Sequence, residues 1–354
     1  MNDQEEKNAG TDFNADEIIR FGYKEEENAF AVFKRLTKTL KSDNDVIVGN
    51  DGFEIKMVAT MRLKNPAVYI MHGDFPYYYS ILKDYGAVID KVICYSNKIE
   101  QESNKILSLS GKVASKIYYP AAVADTKILD IPHKQAKFKI VFAGLVIERK
   151  GADLLPAIYE GLIDKGVKDF ELEIMGEGEL LPTLKQTLLD RTQVKFAGWS
   201  DAVYLKEQMR KAHVFLFPSR LEGLANVLVE ALAARAVPVV TRLESGVTDF
   251  LEDGVNALLI ECNDVDGFVS GLVRLYQNPN LLECLRSNAA ESLKIFEPHT
   301  QAKLYQHTIE QISISSLGHK RVFPPYVRGR LLDRSWIPAS IVKVIRRLVN
   351  NPKL

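Results

Sequence analysis

Residues 218–233 read PSRLEGLANVLVEALA and follow directly on the apolar run VFLF at 214–217. A short run of that kind is a buried strand, and the Pro-Ser pair ends it in a turn. From about 225 the apolar residues take up a helical period, so the stretch reads as strand, turn and helix. Glu222 stands in the turn and Glu230 inside the helix, with seven residues between them. Backbone N–H groups and the dipole at such a helix start can receive a pyrophosphate, and Gly223 lets a ligand come close. Glu230, about two turns in, can accept hydrogen bonds from a pair of ribose hydroxyls. One glutamate on an amphipathic helix is ordinarily just a solvated residue; the pair in this frame points to a nucleotide sugar.

Outward from this stretch the same alternation of apolar runs and helical periods covers the chain, which predicts parallel sheets with helices on their faces. In the second half the strands fall near 139–143, 171–175, 194–197, 214–217, 237–240 and 257–260, with helices at 153–164, 179–190, 202–211 and 225–235. In the first half they fall near 45–49, 67–71, 91–95 and 116–119, with a weaker one at 18–23 and a helix through Phe30, Phe33, Leu36 and Leu40. The segment 120–137, PAAVADTKILDIPHKQAK, has two prolines and no clear period and reads as a linker. Three parts result: 1–136 as an incomplete first domain with its linker, 137–312 as a donor-binding domain, and 313–354 as a basic tail.

With 354 residues, two domains are the expectation. Forty-six basic residues balance forty-six acidic ones, which removes the broad positive field of a nucleic-acid binder and predicts no nucleic-acid partner. Cys94, Cys262 and Cys284 lie far apart, without metal-ligand or disulfide spacing, and read as small buried hydrophobes in a reducing compartment. The polar, acidic start MNDQEEKNAG and the lack of any apolar run near the ~18 residues of a spanning helix predict a cytoplasmic protein.

The second half resembles glycosyltransferase family 4, a group of retaining enzymes with the GT-B fold. The match is carried by Pro218, Ser219, Glu222, Gly223, Glu230 and Ala231, and by FAG…KG at 142–151, MGEG at 175–178, FAGW at 196–199, AVPVV at 236–240 and EDGVNALLI at 252–260. These stand in family order across roughly 140–310. The resemblance implies two Rossmann-like doubly wound domains facing across a cleft, and transfer of a sugar from a nucleotide diphosphate donor with retention at the anomeric carbon. It also implies a saccharide or lipid-linked acceptor, in cell-envelope or surface polysaccharide synthesis. Carried over by position, Glu222 meets donor-sugar hydroxyls near the reacting carbon, Glu230 anchors the ribose, and Lys150 stabilises the leaving charge. Gly144, Ser219, Gly223, Leu224 and Asn226 complete the donor-binding set. The family's arginine after the strand-end glycine is absent, since Leu145 follows Gly144; Arg149 is the substitute. With these cations present and no Asp-x-Asp pair at a strand end, no metal cofactor is expected.

In the first half, His72 follows the strand AVYIM, where the family's histidine approaches the donor sugar from the acceptor side. Asn50-Asp51-Gly52 reads as a plain turn. The buried first strand and Gly-rich loop with which the family opens are missing, so this domain is expected to lack its first strand. In the tail, nine basic residues from Lys320 to Lys353 face only Asp333. A helix over about 339–350 places Ile341, Val344, Ile345 and Leu348 on one side and Lys343, Arg346 and Arg347 on the other. That helix either lies in an anionic membrane interface at the inner face of the plasma membrane or packs its apolar stripe on the first domain. Two rivals share the fold: a nucleotide-sugar epimerase, and a catalytically silent partner subunit.

Overall fold

A computed structural model describes residues 16–24, 26–120 and 137–315, together with 323, 338, 340–342, 345 and 346. The predicted linker and most of the basic tail lie outside the described residues.

The first half carries α1 (Ala29–Leu36), β1 (Ile47–Gly49), α2 (Phe53–Met61), β2 (Ala67–Met71), α3 (Pro76–Tyr85), β3 (Lys91–Cys94), α4 (Asn97–Leu107) and β4 (Ala114–Lys116). Two of these helices start on side-chain caps. Asn28 accepts from the N–H groups of Phe30 and Ala31, and Ser96 accepts from that of Ile99, which satisfies donors the first turn leaves free. The four strands pair in parallel in the order β1-β2-β3-β4, so among the described residues this sheet winds in one direction only, with β1 at its edge. Among the described residues it corresponds to half of a doubly wound sheet.

Alternation along the strands divides the two faces. Ile47, Tyr69, Met71, Val92 and Cys94 pack with Phe33, Ile55, Ile81, Leu82, Ile99 and Leu107, so all four helices cover one face. Val68, Ile70 and Ile93, on the other face, belong to a continuous apolar cluster with Phe250, Phe296 and Ile312 of the second half. The two halves therefore share a core. An aromatic seam marks the junction: Tyr95 meets Tyr119 edge-on at 5.7 Å, and Tyr118 meets Phe296 at 5.0 Å.

The second half carries β5 (Phe138–Ala143), α5 (Leu155–Asp164), β6 (Phe170–Met175), α6 (Leu181–Thr187), β7 (Val194–Gly198), α7 (Ala202–Lys211), β8 (Val214–Phe217), α8 (Asn226–Ala233), β9 (Val237–Thr241), β10 (Leu258–Ile260), α9 (Val265–Gln277), α10 (Pro279–Ser292) and α11 (Pro298–Ser315). Every residue of β5, β8 and β9 is buried, the mark of parallel strands covered on both faces. Their order, β10-β9-β8-β5-β6-β7, reverses direction between β8 and β5. A crevice opens at the carboxyl ends of two strands that part in this way, and ligands bind there in doubly wound folds.

The helix α7 is fastened to the sheet by buried charge. Glu173 of β6 receives Lys139 of β5 at 2.6 Å, Lys195 of β7 at 2.8 Å and the Tyr204 hydroxyl of α7 at 2.8 Å. Burial alone would raise the Glu173 pKa, but these three hydrogen bonds carry it below its ordinary value.

Several expectations need correction. Residues 18–23 form no strand, and Ile18 and Ile19 lie exposed. The fourth strand is 114–116 rather than 116–119: the Ile117 N–H still donates to the Cys94 carbonyl, and Tyr118 and Tyr119 then enter the seam. Only Cys94 is buried; Cys262 and Cys284 are exposed. In the described part of the C-terminal helix, Val342 is fully buried and the Arg346 guanidinium donates to the Glu27 carbonyl, whereas Ile341 and Ile345 face outward. The basic residue expected on the polar side is thus turned inward.

Candidate active site

The site begins where β8 and β5 end side by side. Past β8 the chain runs through Pro218, Ser219 and Glu222; past β5 it runs through Gly144 to Lys150. Gly151 joins these two loops, since at its φ of +70° a Cβ would lie 2.1 Å from the Pro218 carbonyl oxygen. Hydrogen bonds complete the join: the Arg220 N–H donates to the Arg149 carbonyl at 2.8 Å, and the Arg220 guanidinium grips Asp153 with two bonds of 2.6 and 2.7 Å.

Within this frame Glu222 is 7% exposed and heavily held. Its Oε1 accepts from Lys150 Nζ at 2.5 Å and from Ser219 Oγ at 2.5 Å, and Arg149 Nη1 stands 3.7 Å away. Lys150 also lies over the Phe217 ring, 5.4 Å from its centre. A carboxylate so bound presents one fixed orientation to the crevice. Ser219, expected among the donor-binding groups, is itself wholly buried and serves to orient Glu222.

Gly144, with φ +150°, closes β5, and its carbonyl packs so tightly on Gly176 that a Cβ there would lie 1.8 Å from it. The next residue, Leu145, is 54% exposed and supplies no charge. Arg149 lies on the Glu222 side of the site. Its guanidinium donates to the Leu221 carbonyl at 3.0 Å, bringing a second cation beside Glu222 instead.

Leu224 is buried beneath the start of α8, and Asn226, the first residue of that helix, is exposed. Glu230 is half-buried further along α8. Burial raises its pKa, with Lys206 opposing, and it has no hydrogen-bond partner among the described residues.

The first half enters the site through His72. A Cβ on Gly223 would lie 2.5 Å from the His72 carbonyl oxygen and 2.7 Å from Gly73 Cα, so the neighbour that Gly223 admits is this loop as well as any ligand. The His72 ring rests 5.4 Å from that of Tyr95, and its Nε2 lies 3.3 Å from Asn50 Oδ1. Asn50-Asp51 is therefore more than a plain turn: Asn50 reaches His72, and Asp51 accepts from the Tyr78 hydroxyl at 3.0 Å. Desolvation in the cleft lowers the His72 pKa, with Asp51 opposing, so the ring is neutral near pH 7. Asp74 turns away to Lys98 at 2.9 Å and to the Tyr79 hydroxyl at 2.7 Å.

The residues that sequence reading missed lie between the halves. Tyr95 and Tyr119 flank the site, and the only signal for them was their position at the ends of apolar runs. Asp249 had none. It accepts from the Asn97 backbone N–H at 2.8 Å and from the Asn97 side chain at 3.0 Å, at the start of α4, and from the Tyr118 hydroxyl at 3.3 Å. The same loop reaches the site, since the Gly246 N–H donates to the Gly223 carbonyl at 2.9 Å. Among the described residues no group of three or more His, Cys, Asp or Glu side chains is arranged to hold a metal ion.

Residues 137–278 match the family model described as glycosyl transferases group 1. The chain is 24% identical over 232 residues to the 2-deoxystreptamine N-acetyl-D-glucosaminyltransferase of Niallia circulans, covering 62% of this chain and 58% of that one. It is 26% identical over 285 residues to a Campylobacter jejuni alpha-1,4-N-acetyl-D-galactosaminyltransferase whose named substrate is a saccharide on PP-undecaprenol, covering 76% of this chain and 75% of that one. The chain spans 36–58% of the length of several curated relatives it matches. Its fold is that of a Staphylococcus aureus TarM mutant solved with fondaparinux, alpha-GlcNAc-glycerol and UDP, with a TM-score of 0.67 at 17% identity over 79% of this chain and 58% of that one. The architecture is GT-B.

Proposed function

We propose that the protein, whose residues 137–278 match the glycosyl transferases group 1 family, moves a sugar from a nucleoside diphosphate donor to a saccharide or lipid-linked acceptor, in envelope or surface polysaccharide synthesis. The observation that carries this reading is the Lys150–Glu222–Ser219 cluster at the point where the donor sheet reverses, with His72 of the other half against Gly223. A diphosphate at the start of α8 meets backbone N–H groups and the helix dipole. Glu230 accepts from the ribose hydroxyls, which gives its unpaired carboxylate a partner. Glu222 faces the hydroxyls of the transferred sugar, and neutral His72 accepts a hydrogen bond from it on the opposite side.

As the bond from the anomeric carbon to the diphosphate breaks, negative charge grows on the leaving oxygen, and Lys150 and Arg149 stand ready to stabilise it without reorganisation. The acceptor hydroxyl attacks the face that the diphosphate leaves and passes its proton to the departing phosphate oxygen. This route retains configuration and requires no covalent sugar intermediate. Since the cations come from the chain, turnover persists in excess chelator and falls sharply in Lys150→Ala.

The PP-undecaprenol named for the Campylobacter relative supports a lipid-linked acceptor, and outward-facing Ile341 and Ile345 with the basic tail support a peripheral place on an anionic membrane, at the inner face of the plasma membrane. Calorimetry tests the central claim. Glu230→Ala should bind nucleoside diphosphate about 10- to 100-fold more weakly, while Glu222→Ala should bind it nearly as wild type and lose turnover. Unchanged affinity in folded Glu230→Ala overturns the ribose assignment.

A further inference from the structure

The geometry points to Arg220 as a positioning residue for the donor's diphosphate: it fixes the turn that carries Lys150 beside Glu222, and so decides how firmly the second phosphate is held. This rests on the donor reading above and adds to it a side chain that the reading does not use. Arg220 stands two residues before Glu222 on the loop past β8. Lys150 stands on the loop past β5, at the end of the short helical turn Glu148–Lys150.

Arg220 holds that turn along its length. Its guanidinium donates to the Glu148 carbonyl, and its backbone N–H donates to the Arg149 carbonyl at 2.8 Å. Just past the turn, the two oxygens of Asp153 accept from the guanidinium at 2.6 and 2.7 Å. A third loop joins through Asn263, past β10, whose Oδ1 accepts from Nε at 2.7 Å. Asn263 holds a φ of +64°, a region that asparagine enters more readily than most residues, and Asp264 after it caps α9 by accepting from the Gly267 N–H at 2.8 Å. The clamp is thus tied to a regular helix as well as to the turn.

Four of the five guanidinium N–H groups are engaged within the chain, so the side chain acts through the turn rather than on a phosphate. Only a planar fork makes these bonds together; lysine keeps the charge and loses the geometry. The Arg220–Asp153 pair is part-exposed, and such pairs add little to stability. What the clamp supplies is the place of Lys150, whose Nζ lies 2.5 Å from Glu222 Oε1. In the reaction above, Lys150 meets the oxygen that leaves the sugar, which belongs to the second phosphate.

The test is titration calorimetry with ADP, CDP, GDP and UDP, each beside its monophosphate. For whichever base binds wild type, Arg220→Lys should weaken the diphosphate about tenfold and leave the monophosphate as it was. Asp153→Asn, which keeps the size of the side chain, should show the same selective loss, and it decides alone if Arg220→Lys does not fold. In a Lys150→Ala background either substitution should cost under about twofold, because the group that the clamp positions is gone. A loss shared equally by monophosphate and diphosphate, no loss in the folded variants, or full additivity with Lys150→Ala overturns the clamp and leaves the donor reading standing. If none of the four diphosphates binds wild type, the donor reading falls and this proposal with it.

Discussion

Gly223 stands where a single methyl group would strike backbone on the far side of the cleft, 2.5 Å from the His72 carbonyl oxygen and 2.7 Å from Gly73 Cα. Backbone atoms cannot rotate aside as a side-chain tip would, so Gly223→Ala must push the His72 loop from Glu222. A displacement of roughly 1 Å at a reacting centre costs about a hundredfold in rate, and that loss in kcat/KM is expected here while the melting temperature changes little. Steady-state kinetics beside a thermal melt decides, and wild-type kcat/KM in the variant would mean the contact is dispensable. The sequence indicated a glycine at this point because the frame around Glu222 and Glu230 is ordered and local. It did not show the second neighbour, since contact with His72 joins residues 151 positions apart, which no local pattern encodes. Lys150, Glu222 and His72 were legible because each follows a buried strand; Tyr119 and Asp249 were not, because their roles exist only once the halves meet.

Strands were the most legible elements. AVYIM at 67–71 and VFLF at 214–217 match their observed bounds, because wholly buried parallel strands are unbroken apolar runs. The run KIYY misled, since its aromatic residues serve the seam and the strand ends at Lys116. One strand also carries a proton sensor. His213, directly before β8, accepts the Lys139 N–H through Nδ1 at 3.0 Å, and its pKa is pushed down to about 4 by burial first and the Arg286 charge second. Unfolded, the ring titrates near 6.5, so between pH 6.5 and 4 the unfolded chain binds more protons and stability falls as pH drops. Over pH 7 to 5 this one group should remove about 2 kcal/mol. Urea unfolding at the two pH values measures it, and His213→Asn, which keeps an acceptor but does not titrate there, should flatten the difference. An equally steep response in that variant would place the sensor elsewhere.

At the scale of the molecule, one loop governs how the halves sit. Asp249 fastens the start of α4 while Gly246 of the same loop holds the Gly223 carbonyl, so the seating of one half and the shape of the donor crevice are set together. Asp249→Ala should lower kcat/KM about tenfold with nucleoside diphosphate affinity near wild type, because Glu230 is untouched and only the approach of His72 loosens. Small-angle scattering should show a larger radius of gyration; a variant with unchanged scattering and unchanged kinetics would rule the loop out as a fastening. The shared core carries a further consequence, in time rather than space. Val68, Ile70 and Ile93 leave the ribosome well before Phe296 and Ile312, the residues that complete their cluster. At about 5–20 residues per second, the about two hundred intervening residues keep that apolar sheet face uncovered for roughly 10–40 s. Slowing translation in the second half should therefore increase aggregation of the nascent first half while leaving the finished protein's stability unchanged.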